Sequence, residues 1–196
     1  MNKPSNGLQT SLMKLMYHDP LYWKALGEFI ELFANTELAL YVLLRYFAKI
    51  PYATGNALFP GLRAKVMMER ITRLLEMGGH PKNLKLELKD VFSHMTDIND
   101  ARNGMIHYAS MYDSEGERIV TDKVRRVTGE KRFHVSPEII SLMINDLYKI
   151  SFHCGSITNM PGETLEKRAI VFPVLANAWQ YKHEPNHPKK DHKKNR

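Results

Sequence analysis

Residues 81–109, PKNLKLELKDVFSHMTDINDARNGMIHYA, decide the fold. A proline opens the stretch, and Leu84, Leu88, Val91, Met95, Ile98 and Ile106 recur at helical spacing. At about 100° per residue they fall on one stripe, so the stretch reads as a single long amphipathic helix. Arg102 stands in the middle of that stripe. A guanidinium buried without a partner is costly, so Arg102 must either find a carboxylate or line a cleft.

Upstream, Asp19-Pro20 to Ile50 reads as another long helix, with Asp19 as N-cap, Pro20 in the first turn and Pro51 beyond the end. Phe29, Leu32, Phe33, Leu40, Leu43, Leu44 and Phe47 form one apolar face; Leu38, Ala39, Val42 and Tyr46 form a second. A helix in a small bundle needs only one apolar face, so the second is a candidate subunit contact. Pro60-Gly61 leads into a helix from Leu62 to Met77, closed by Gly78-Gly79.

Downstream the periodicity changes. Residues 117–135 alternate β-branched and charged residues around Thr128-Gly129, which predicts a β-hairpin. Ser136-Pro137-Glu138 then starts a helix with Ile139, Ile140, Met143, Ile144, Leu147, Tyr148 and Phe152 on its apolar face, extending to Thr158. Residues 163–179 suggest a short helix and a strand. The expected organisation is a loose arm over 1–17, one helical domain over 18–180 with the hairpin inserted at 117–135, and a disordered basic tail over 181–196. The fold class this implies is all-α: an antiparallel four-helix bundle with a β-hairpin between the third and fourth helices.

The net charge of +7 is localised. Residues 182–196 hold six Lys/Arg against Glu184 and Asp191. Residues 117–132 hold Arg118, Lys123, Arg125, Arg126, Lys131 and Arg132 against Glu117, Asp122 and Glu130, and these two stretches together account for the whole excess. Both patches suit an acidic partner. The single cysteine, Cys154, excludes an intramolecular disulfide and any cysteine-pair zinc site, and favours a reducing compartment. His80, His94, His134 and His153 share no metal-ligand spacing, and His183 with His187 lacks a fixed scaffold, so no metal and no cofactor is expected. Residues 1–20 lack the apolar core of a secretory signal, and the apolar run Leu38 to Leu44 stops at Arg45, short of a membrane span. The expectation is a soluble, cytoplasmic protein with no membrane contact.

Within the decisive helix, Asn99, Asn103 and His107 recur at four-residue spacing and make a polar stripe beside the apolar one. Arg102 and His107 are separated by about 7.5 Å of rise and about 140° of rotation, so one helix does not easily aim both at a single phosphorus atom. Two copies related by a twofold axis could.

Arg102-Asn103 followed by His107, late in a long helix, resembles the Arg-x4–6-His motif of the HEPN superfamily. The resemblance covers about residues 20–160 and rests on Arg102, Asn103 and His107. It implies a dimeric, metal-independent endoribonuclease with a toxin or antiphage role and an antitoxin or other regulatory partner. His107 would serve as general acid or base. Arg102 would hold the scissile phosphate, and Asn103 would orient phosphate or imidazole. Glu37 on the first helix is the candidate partner for Arg102, with Asn99 in support. Tyr108 and Tyr112 are placed to stack on bases, and the basic residues of the hairpin to bind RNA backbone. Two other readings stand beside this one: a non-catalytic HEPN module binding nucleotide or RNA, and an all-α dimeric structural or regulatory protein.

Overall fold

The computed structural model of the chain describes residues 19–107, 109–112, 118–121 and 132–183. The expected N-terminal arm, the Thr128-Gly129 turn and the tail from residue 184 onward lie outside them, as do Tyr108, Lys123, Arg125, Arg126 and Lys131. The described chain is mostly helical. Helix α1 spans Pro20–Ala48, α2 Tyr52–Leu58, α3 Ala64–Met77, α4 Lys82–His107, α5 Pro137–Asn159 and α6 Leu165–Val171, with a 3-10 turn at Pro173–Ala176. Strands β1 (Ala109–Tyr112), β2 (Arg118–Thr121) and β3 (Arg132–His134) form an antiparallel sheet in that order.

Local chemistry sets the helix ends. The Asp19 carboxylate accepts from Tyr22 N–H at 3.0 Å, and Pro20 needs no amide partner in the first turn. At the far end Lys49 turns left-handed (φ 55°) and its N–H returns to Arg45 and Tyr46 carbonyls. Ser136 Oγ accepts from Ile139 N–H at 3.3 Å to start α5. Among the described residues no helix is long and apolar enough to cross a membrane.

Side-chain pairings fix the helix directions, and they correct the antiparallel order expected from the sequence. Tyr22 at the start of α1 lies under Arg118, whose carbonyl accepts from Val135 N–H just before α5. Midway along, Thr36 Oγ1 meets Ser151 Oγ at 3.0 Å. At the far end Thr158 shares a crevice with Val42, Arg45 and Lys49. Helices α1 and α5 therefore run side by side in the same direction. Helix α3 also runs with α1, starting at Glu37 and ending near Phe47, whose ring packs against His80. Of the four long helices, only α4 runs the other way, from His80 beside Phe47 to Arg102 over Phe33. The cause is α2, in a stretch expected only as a connection. It carries the chain back along α1, so α3 begins again near the middle of α1.

The core gathers the predicted face of α1 with Ile71 of α3, Leu88, Val91, Met95 and Ile98 of α4, and Ile140, Leu147 and Ile150 of α5, all buried. Among the described residues the second face of α1 has no full cover: Leu38, Val42 and Tyr46 are 57%, 40% and 39% exposed, while Ala39 packs partly on the core. Ile106, expected in the α4 core stripe, is exposed in the last helical turn.

Two further expectations change. Strands β2 and β3 fall inside 117–135, but Ala109–Tyr112, expected to close the helix and lead out of it, is a third strand facing β2, with Ala109 opposite Thr121 and Tyr112 opposite Arg118. Residues 163–179, all described, hold no strand. Pro173 fixes its own φ in the helical range and donates no hydrogen bond, so Pro173–Ala176 closes as a 3-10 turn, with Leu175 N–H bonded to Phe172 O at 3.0 Å.

Candidate active site

The last turns of α4 carry the motif. Leu88, Val91, Met95 and Ile98 hold this helix in the core, and the same stripe brings Arg102 inward over the Phe33 ring, its guanidinium carbon 5.3 Å from the centroid. The side chain is half-buried. One terminal nitrogen donates to Asn103 Oδ1 at 3.1 Å, and the buried Nε–H finds no acceptor. Among the described residues no carboxylate lies within ion-pair distance of this guanidinium.

Asn99 and Asn103 are half-buried on the flank, and His107, the last residue of α4, is exposed. The structure thus brings Arg102 and Asn103 into contact and leaves His107 facing solvent about one and a half turns further on.

Glu37 does not serve Arg102. Its Oε1 accepts from Ala64 N–H at 3.0 Å, capping α3, whose own N-cap residue, Arg63, offers no side-chain bond. The return of the chain through α2 puts a bare helix N-terminus beside Glu37, and the dipole and free amides there attract the carboxylate. Arg118, expected on the RNA-binding surface, is buried. Its guanidinium lies 3.9 Å from the centroid of the Tyr22 ring and 6.0 Å from that of Trp23, because β2 packs against the start of α1. Arg132 stands in β3 opposite Thr121. The remaining basic residues proposed for the hairpin, and Tyr108, are outside the described residues.

A second polar constellation lies on the α4–α5 seam. Glu87 Oε1 is 2.8 Å from His153 Nδ1, and Glu87 Oε2 accepts from Arg168. Arg168 also donates to Ser156 Oγ at 2.9 Å. Burial alone would raise the Glu87 pKa, but the hydrogen bonds and charges of His153 and Arg168 hold it below the ordinary carboxylate value. Nearby, burial pushes the Cys154 thiol up to about 12 and lowers the Lys149 ammonium, against the pull of Asp146 and Asp90. This cluster was not anticipated. Its signal was the recurrence of Asp146, Lys149 and His153 at helical spacing inside an otherwise apolar helix. Among the described residues no three His, Cys, Asp or Glu side chains gather as a metal site.

No family model matches the chain, and no curated protein or solved structure matches it either.

Proposed function

We propose that this protein is a metal-independent endoribonuclease of HEPN type, built on its four long helices with a strand insertion before the last of them and working in the cytoplasm as a homodimer. The observation that carries the reading is Arg102, a half-buried guanidinium with an unanswered Nε–H and no carboxylate partner among the described residues, on the same helix end as an exposed His107. An arginine so placed is suited to a ligand anion, and a phosphate diester supplies one in bidentate geometry.

In the reaction, His107 takes the proton from a ribose 2′-hydroxyl. The freed oxygen attacks phosphorus, the bond to the 5′-oxygen breaks, and an imidazolium returns a proton to that leaving oxygen. Products are a 2′,3′-cyclic phosphate and a 5′-hydroxyl. Arg102 stabilises charge on the non-bridging oxygens, and Asn103 holds the guanidinium in place. The rotation of about 140° between Arg102 and His107 favours taking the two roles from two copies of α4 facing across one cleft. A toxin or antiphage role under a protein partner fits an activity that destroys cellular RNA.

The test is cleavage of total RNA in chelator by the full chain and by Arg102→Ala and His107→Ala. Each substitution is expected to lower the rate by about 100-fold or more. Parent-like cleavage by both variants would remove the motif from the mechanism. DNA of the same sequence is expected to survive.

A further inference from the structure

Helix α1 has two sides. Phe29 and Phe47 lie on the buried one; opposite them the chain steps by three and four residues through Glu28, Glu31, Asn35, Leu38, Val42, Arg45 and Lys49. At about 100° per residue these positions fall within about 100° of one another, and alternating threes and fours is the spacing with which one helix lies along another. All are exposed except Arg45, which is half-buried. The stripe is sorted by charge: acidic at its start, apolar at Leu38 and Val42, basic at its end.

Among the described residues no ion pair involves Glu28, Glu31, Arg45 or Lys49. Arg45 is nevertheless held in place. Its guanidinium carbon lies 4.9 Å from the centroid of the Tyr52 ring and 5.8 Å from that of Tyr41, and its buried Nε–H has no acceptor. Gly55 of α2 permits this packing, since a Cβ there would stand 2.8 Å from Arg45 Cδ. Beside it, a crevice bordered by Val42, Arg45 and Lys49 stays open. A cation fixed by aromatic rings next to open space, with no carboxylate of its own, suits an acidic side chain arriving from outside.

The stripe carries both halves of a complementary pattern, so the partner it fits is itself. We propose that two copies of the chain pair through α1 in antiparallel, with Leu38 on the twofold axis. In that register Glu31, seven residues before Leu38, meets Arg45 of the second copy, seven after it. Glu28 falls one position from Lys49, and the small Ala34, four before the axis, receives Val42, four after it. The rotation repeats every contact, as an isologous interface requires. A parallel pair would set each carboxylate against its own copy, and each cation likewise, so the charges select direction as well as register. The apolar centre gains by leaving water, and the charged ends fix the alignment. The pairing rests on the homodimer of the proposed function and is scored without RNA.

The experiment is sedimentation equilibrium of the full chain at moderate salt. Glu31→Lys and Arg45→Glu are each expected to raise the dimer Kd by about 100-fold or more, because every reversal acts twice in a twofold interface. The double variant restores opposite charges across the axis and is expected to return within about tenfold of the parent. The same cycle with Glu28→Lys and Lys49→Glu uses exposed positions only, with single losses of about tenfold, and decides the matter if Arg45→Glu unfolds the chain. Leu38→Cys is expected to give an intermolecular disulfide under mild oxidation, because a residue on the axis faces its own copy, and Glu28→Cys is not. Cys154 is buried and does not compete. Double variants that recover nothing overturn the proposal, as do a Glu28→Cys disulfide without one at Leu38→Cys and a parent that sediments as a monomer. A dimer that ignores every reversal keeps the homodimer and loses this interface, whereas a chain that follows the cycle and leaves RNA uncut keeps the interface and loses the nuclease.

Discussion

Glu87 shows what one buried side chain contributes. Its side chain is 7% exposed, yet both oxygens are occupied, one by His153 and one by Arg168, whose own side chain is 2% exposed. Burial raises its pKa, and the two partners more than reverse this, leaving it below the ordinary value of 4.5. A carboxyl whose folded pKa is depressed contributes stability that is fully present above its unfolded value and is lost as pH falls through the folded one. Glu87→Gln leaves Arg168 buried with no counter-charge, which is expected to cost about 3–5 kcal/mol. Urea unfolding at neutral pH reads that loss. The same titration repeated below about pH 4.5 should show the parent losing stability more steeply than the variant. Parallel acid limbs would mean that the pair is not what acid disrupts.

At the scale of elements, the legible features were those decided within a few residues. Asp19-Pro20 and Ser136-Pro137 start helices where expected, and the α4 stripe is buried from Leu88 to Ile98. The inward position of Arg102 was legible for the same reason, since helical periodicity alone puts it on the core-facing stripe, while its contact with Phe33 of α1 is set by tertiary packing. What the sequence concealed depends on chain return. Nothing local says that Tyr52–Leu58 runs back along α1, and from that return come both the parallel pairing of α1 with α5 and the new partner of Glu37. A carboxylate chooses among all the donors that tertiary structure brings near it, and periodicity reports only its own helix. The reassignment of Glu37 has a measurable consequence. Glu37→Ala removes a charged acceptor from the Ala64 amide and should lower stability by about 1–2 kcal/mol, read as a drop in thermal midpoint. Glu37→Gln, which keeps an acceptor without the charge, should fall between. Were Glu37 instead the counter-ion of Arg102, the double variant with Arg102→Ala would recover part of the loss; independent capping predicts that the two effects add.

For the whole molecule, the uncovered face of α1 and the geometry of α4 bear on one question. Leu38, Val42 and Tyr46 present exposed apolar area in a row at four-residue spacing, which water meets at a cost and a second helix could cover. Independently, Arg102 and His107 on one α4 are separated by about 140° of rotation, so a single helix does not easily aim both at one phosphate. A twofold dimer through α1, as proposed above, would answer both and would tie assembly to catalysis. Leu38→Glu tests that link, because its side chain is 57% exposed in the isolated chain and so adds no buried charge to the fold. The thermal midpoint should stay within a degree or two of the parent, since surface changes away from caps and cores are usually worth no more than about 0.5 kcal/mol. Sedimentation should shift from dimer to monomer, because the same carboxylate would be desolvated inside the interface. Cleavage measured at dilute protein should fall by roughly tenfold or more, and should recover as concentration rises if the weakened interface still forms. A variant that stays dimeric with parent-like activity would move the interface off α1, and a monomer that still cuts RNA at full rate would return both catalytic roles to a single helix.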